Sequence, residues 1–127
     1  MAATIKFTGN LLVQLADGAQ PNPVPVGFEL SYTEKCIYGF NHSTPIANSP
    51  VPAGSITNPR FVLVFLYEGS ISLAWNIGGD GPTIISANPT PPPADRPIMM
   101  LFRYNSPASA LYLTVPAAAR GEIWLFE

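Results

Sequence analysis

From Val26 to Phe40 the even positions read Val26, Phe28, Leu30, Tyr32, Glu34, Cys36, Tyr38 and Phe40, while the odd ones include Glu29, Ser31, Thr33 and Lys35. Successive side chains of a strand point to opposite faces, so this period of two writes one apolar and one polar face, with a single lapse at Glu34. A helix would need apolar residues at spacings of three and four, and Gly27 and Gly39 would each cost it about 1 kcal/mol. The stretch is therefore read as strand with one face buried.

Similar short runs recur at Thr4 to Phe7, Leu11 to Leu15, Phe61 to Tyr67, Ile71 to Trp75, Thr83 to Ser86, Ile98 to Arg103, Leu111 to Val115 and Glu122 to Phe126, each bounded by Gly, Pro, Asn, Asp or Ser. Such runs, with no long stretch of helical periodicity, predict an all-β fold. The expected architecture is a single antiparallel β-sandwich or jelly-roll-like barrel of about 8 strands, with Pro-rich loops and almost no helix. It is read as one domain over residues 1–127, with residues 1–8 as an extended N-terminal segment.

FVLVFLY, Phe61 to Tyr67, is apolar at every position, so both of its faces must be covered, one by the opposite sheet and the other by a loop or a neighbouring subunit. It is expected to be a central strand. The run that follows alternates Ile71, Leu73 and Trp75 with Ser72 and Ala74, and Glu68-Gly69-Ser70 between them has the size and glycine of a tight turn. FVLVFLYEGSISLAW is thus predicted to be an antiparallel hairpin.

Proline cannot donate to a strand ladder, so its positions are expected to mark where sheet is absent. Three clusters stand out: Pro21, Pro23 and Pro25; Pro45, Pro50, Pro52 and Pro59; and Pro89, Pro91, Pro92, Pro93 and Pro97. Charged residues make up 11% of the chain, against the usual ~25%, while 47% of it is hydrophobic and its formal charge is only −2. That combination is foreign to disordered chains. It fits a surface covered by other protein chains, or a compact domain whose exterior is polar but uncharged.

The basic residues Lys6, Lys35, Arg60, Arg96, Arg103 and Arg120 are scattered singly, so no stripe exists to neutralise a run of phosphates, and nucleic acid is not an expected partner. Cys36 is alone, which leaves no intramolecular disulfide and favours a small apolar role on a buried face. MAATIKF does not read as a signal peptide, and no window approaches the length of a membrane-spanning helix.

NIGGDGPT, Asn76 to Thr83, lacks the lysine of a phosphate loop, and Pro82 removes a backbone donor. It reads as a turn in which Gly78, Gly79 and Gly81 permit positive φ. His42 is the only histidine, in a segment from Asn41 to Pro45 that reads as loop, and a dyad with Cys36 is disfavoured because Cys36 shares its strand face with aromatic residues. The dispersed acids select neither a glycosidase pair nor a metal site, and no cofactor is implied. A sugar could stack on Trp75 with Asn76 and Asp80 beside it, but Trp75 also shares the face of Ile71 and Leu73 and then reads as core. Asn41-His42-Ser43 matches the glycosylation pattern and, with no signal peptide read, is taken as chance.

From Asn58 to Glu127 the chain combines FVLVFLYEGSISLAW, the GGDG turn, a proline loop, ALYLTVP and a closing GEIWLFE. This half resembles small β-rich virion proteins of tailed bacteriophages. The resemblance implies a non-enzymatic structural role in the virion, assembled in the host cytoplasm: a head decoration or cement protein, or a tail, baseplate or fibre component. The implied partners are the major capsid protein or tail subunits and further copies of the chain, as in a trimer, with neither nucleic acid nor membrane. The expected contact residues are Pro91, Pro92, Pro93, Ile98, Met99 and Met100, although Ile98 to Phe102 also reads as a buried strand. A carbohydrate-binding module built on Trp75, Asn76 and Asp80 is the competing reading.

Overall fold

The computed structural model describes residues 2–11, 23–75, 83–85 and 97–127. The chain gathers into two compact units, Met1–Thr33 and Glu34–Glu127. The lapse at Glu34 in the alternation is where one gives way to the other.

The first unit is a two-stranded antiparallel ribbon of β1 (Ala3–Leu11) and β2 (Val24–Tyr32). Its register places Ile5 opposite Leu30, Phe7 opposite Phe28 and Gly9 opposite Val26 on one face, which Val24 shares, and Thr4 opposite Ser31 and Lys6 opposite Glu29 on the other. Directly opposite residues share a face, so the ribbon is apolar on one side and polar on the other. Most of the segment expected to extend from the N-terminus is therefore a strand already paired with β2. Pro25 lies inside β2 opposite Asn10, correcting the expectation that proline marks missing sheet. A ribbon strand has an edge with no ladder to feed, and a proline nitrogen turned to that edge removes no bond.

The second unit contains β3 (Lys35–His42), β4 (Ile46–Pro50), β5 (Phe61–Ala74), β6 (Thr83–Ile85), β7 (Ile98–Arg103), β8 (Tyr112–Val115) and β9 (Ala119–Phe126). They form an antiparallel sheet in the order β3-β9-β5-β8-β4, with β6 and β7 also paired to β5, and the sheet curls into a half-barrel. The fold is all-β as the alternation requires. The helical content among the described residues is one 3₁₀ turn, Ala108–Ala110.

FVLVFLYEGSISLAW is not a hairpin. Its first fourteen residues form the single strand β5, central as expected: Phe61–Leu66 pairs with both β7 and β9, and Ser72 pairs with both Thr83 and Thr114. Glu68-Gly69 mimics a turn because a bulge falls between Leu66 and Glu68. An extra residue in a strand reverses which parity faces inward. Val62, Val64 and Leu66 are buried before it, Ile71 and Leu73 after it. Gly69 sits beside the bulge at φ +82, where a Cβ would overlap the Ala118 carbonyl oxygen and lie 2.9 Å from the Ala119 Cα.

The curl folds inner faces onto one core of Phe40, Val51, Ile56, Val62, Val64, Leu66, Ile71, Leu73, Tyr104, Leu111, Leu113, Val115, Ala119, Ile123 and Leu125. On β3 the inward residues are Cys36, Tyr38, Phe40 and His42, opposite Leu125, Ile123, Gly121 and Ala119 of β9. Gly121 is required there: a Cβ would strike the Phe65 carbonyl oxygen and stand 2.9 Å from the Phe40 ring.

Two further expectations are corrected. Asn41 and His42 belong to β3 and not to a loop. The second proline cluster contains the strand β4, which the sequence reading omitted; it ends on Pro50 and pairs only with β8 among the described residues. An edge strand tolerates terminal proline, and Asn48, at φ 47 where the β4–β8 register shifts, belongs to the few residue types that accept a left-handed backbone.

Candidate functional site

The outer face of the β3-β9-β5-β7 sheet is the first candidate surface. Its register lines up Ile37, Trp124, Leu63 and Leu101 in one row across the strands. The neighbouring rows are Gly39, Glu122, Phe65 and Met99 on one side, and Lys35, Phe126, Phe61 and Arg103 on the other. Ile37 is 45% exposed and Met99 37%, Phe65, Leu101 and Trp124 are half-buried, and Leu63 and Phe126 in the same rows are fully buried, so only part of this face is open. The middle row carries no charge. Phe65 meets Trp124 edge-on at 5.8 Å, and Lys35 Nζ lies 5.7 Å from the Trp124 ring centroid, so rim cations and rings brace one another.

The apolar face of the β1–β2 ribbon is the second. Phe7 stacks on Phe28 at 5.6 Å between centroids, and Phe7, Val24 and Val26 are exposed by 36%, 53% and 40%. Lys6 Nζ and Glu29 Oε2, 3.9 Å apart, occupy the opposite face. An isolated two-stranded ribbon is marginal in water, and contiguous exposed apolar area of this kind marks a surface that another element covers.

A cleft of about 470 Å³ lies over Gly39, Phe40, Asn41, Tyr67, Arg120, Gly121 and Glu122. Its two charged groups are engaged with neighbours: Arg120 donates to Glu68 at 3.2 Å and lies 5.1 Å from the Tyr67 ring centroid, and Glu122 accepts the Trp124 indole N–H at 3.1 Å. Among the described residues no three His, Cys, Asp or Glu side chains gather as a metal site would require.

Cys36 and His42 share a face of β3 but stand six residues apart, roughly 20 Å along a strand, so they form no dyad. Cys36 packs against the core, with its Sγ 3.7 Å from the Pro52 carbonyl oxygen. The His42 ring lies 6.2 Å from that of Phe40, and its buried Nε2 has no hydrogen-bond partner.

The expected contact residues divide by strand parity. Met99 lies on the outer face, whereas Ile98, Met100 and Phe102 pack against the core. Pro91, Pro92 and Pro93 lie outside the described residues, as do Asn76, Asp80 and the GGDG segment. Trp75 packs against Phe102 at 5.2 Å and Tyr104 at 4.9 Å, beside the core. Burial pushes the Tyr104 hydroxyl above its ordinary pKa, and the neutral hydroxyl donates to the Pro107 carbonyl at 3.1 Å. The sequence reading missed Ile37, Leu101 and Trp124, and the ribbon residues Val24 and Val26, as surface. Period-two patterning shows that such residues share a face but not whether that face is covered.

Compared with known proteins, the chain matches no family model, no curated protein and no solved structure.

Proposed function

We propose that this chain is a non-enzymatic structural protein of a phage particle, a decoration or cement protein that bridges neighbouring shell subunits, with a tail, baseplate or fibre position as the variant of the same role. The observation that carries the reading is the ribbon's apolar face, with Phe7, Val24 and Val26 each more than a third exposed. Burying that face supplies the second layer a two-stranded ribbon needs, and it draws on hydrophobic area without needing charges. The resemblance of the C-terminal half to small virion proteins supports a partner within a particle assembled in the host cytoplasm.

The mechanism is mass action: a protein that binds the assembled shell and not its dissociated subunits stabilises the shell by the free energy of that binding. The test is co-sedimentation of the purified chain with phage heads and, separately, tails, followed by the melting temperature of the loaded particles. Saturable binding to one of them, with a raised melting temperature, supports the role and identifies the site. A chain that stays in the supernatant with both refutes it.

A further inference from the structure

We infer that β1 of one copy pairs with β1 of a second copy, edge to edge and antiparallel, so that two ribbons make one four-stranded sheet. The inference concerns the free chain and goes beyond the particle role. Pro25 has no N–H, so its pairing with Asn10 cannot be one in which both residues exchange backbone bonds, and bonded and non-bonded pairs alternate along an antiparallel ladder. Ile5–Leu30 and Phe7–Phe28 are therefore bonded pairs, while Thr4, Lys6, Thr8 and Asn10 turn their backbone N–H and C=O groups to the outer edge of β1. Among the described residues β1 pairs only with β2, and Thr4, Lys6, Thr8 and Asn10 are all exposed. A row of backbone groups of this kind is a template for another strand. The outer edge of β2 is blunted instead, because Pro25 supplies no donor there and Gly27 follows two residues on. Two strands are marginal in water, whereas a sheet of three or more with an apolar face can be stable, so the ribbon gains by extending along its open edge.

The residues of β1 choose the register. A two-fold axis at Phe7, the middle of the nine-residue strand Ala3–Leu11, pairs every residue of one β1 with the other. Thr4 then exchanges bonds with Asn10 of the second copy, and Lys6 with its Thr8, about eight backbone bonds in all. Moving the axis to Lys6 shortens the overlap and sets two ammonium groups directly opposite one another, which is destabilising. Moving it to Thr8 shortens the overlap as much and sets Phe7 opposite Gly9. With the axis at Phe7 no like charges stand directly opposite, and Lys6 keeps Glu29 of its own ribbon 3.9 Å away. Directly opposite residues share a face, so the stacked Phe7 and Phe28 of one copy continue into Phe7 and Phe28 of the other as one aromatic row. Four strands ~20 Å wide and ~30 Å long present an apolar face of ~600 Å², twice that of one ribbon. The dimer thus joins two small apolar faces into one of the size that marks a contact surface.

The experiment is sedimentation velocity on the full chain, joined to amide exchange read by NMR at low and high concentration. The expected result is a dimer at about 100 µM in which the amides of Thr4, Lys6, Thr8 and Asn10 gain protection, while those of Gly27 and Glu29 exchange as fast as in the dilute chain. Thr8→Pro removes an outward donor and leaves the β1–β2 ladder whole, as Pro25 does in β2, and the loss of one bond per copy should weaken the dimer about 30-fold. Thr8→Glu sets a carboxylate opposite Lys6 of the second copy and should tighten the dimer several-fold, whereas Thr8→Lys should loosen it. A native chain that is monomeric overturns the inference, as does protection that rises at the β2 edge or nowhere. Thr8→Glu that loosens the dimer overturns it too, and decides the matter where Thr8→Pro fails to fold. Particle binding is read separately: a monomer whose β1 edge is protected only on phage heads or tails fails this inference alone, whereas a dimer that ignores both fails the phage role alone.

Discussion

Gly69→Ala tests the bulge that lets one strand serve both halves of the half-barrel. The residue holds φ +82, and a Cβ there would overlap the Ala118 carbonyl oxygen and lie 2.9 Å from the Ala119 Cα. The left-handed backbone costs an L-residue about 1–2 kcal/mol, and forcing an extra carbon into packed surroundings costs about 1–3 kcal/mol more. The obstacle is backbone, which cannot rotate away as a side chain would. The sum, about 2–5 kcal/mol, corresponds to a fall of about 1–2 M in the urea midpoint. Both tryptophans, Trp75 and Trp124, lie in the unit Glu34–Glu127, so their fluorescence follows the affected sheet. Gly39→Ala is the control: a Cβ there meets nothing within 4 Å, and replacing a strand glycine by alanine is worth roughly 0.5–1 kcal/mol of stability. Equal stability of the two variants, or a Gly69→Ala midpoint at the native value, would refute the bulge as the device that reverses inward parity.

Leu73 is 1% exposed, and Leu73→Ala should cost about 2–5 kcal/mol by the same urea measurement. Tyr104 has its pKa raised by burial, so the folded state holds the proton more tightly than the unfolded chain. Its contribution is complete below the unfolded value of ~10 and is lost as pH rises from there through the folded value. Tyr104→Phe should flatten that alkaline loss while removing the bond to Pro107, worth about 1 kcal/mol at neutral pH. The half-exposed Glu68–Arg120 pair should contribute no more than about 1 kcal/mol, and less in high salt, in a double-mutant cycle.

Much of this fold is legible in the chain because period two is a local signal. Val62, Val64, Leu66, Ile71 and Leu73 all read as strand residues, and the exhaustive apolarity of FVLVFLY marked a strand flanked on both sides. What misled was Glu68-Gly69-Ser70: a bulge and a tight turn both call for glycine with positive φ, and only the pairing partners, Arg120 and Ala119 far along the chain, tell them apart. Pro25 and Pro50 misled for a related reason, since proline forbids a central position but not an edge. The surface was half legible. Ile98 to Arg103 was singled out for contact, yet parity sends Met99 outward and Met100 inward, and parity becomes orientation only once the strand has a partner. Val26 and Phe28 read as part of a buried face from their pattern, because a ribbon's apolar face and a buried strand's apolar face have the same spelling.

Met99 and Met100 supply the most direct measurement, since they are neighbours on opposite faces of β7. Met99 is 37% exposed, and Met100 packs against the core. Peroxide oxidation, read residue by residue by mass spectrometry, should convert Met99 faster than Met100 in the dilute chain. In the chain docked on particles, Met99 should slow several-fold while Met100 holds its rate. Met99 oxidising equally fast free and associated would mean that the outer sheet face is not an interface.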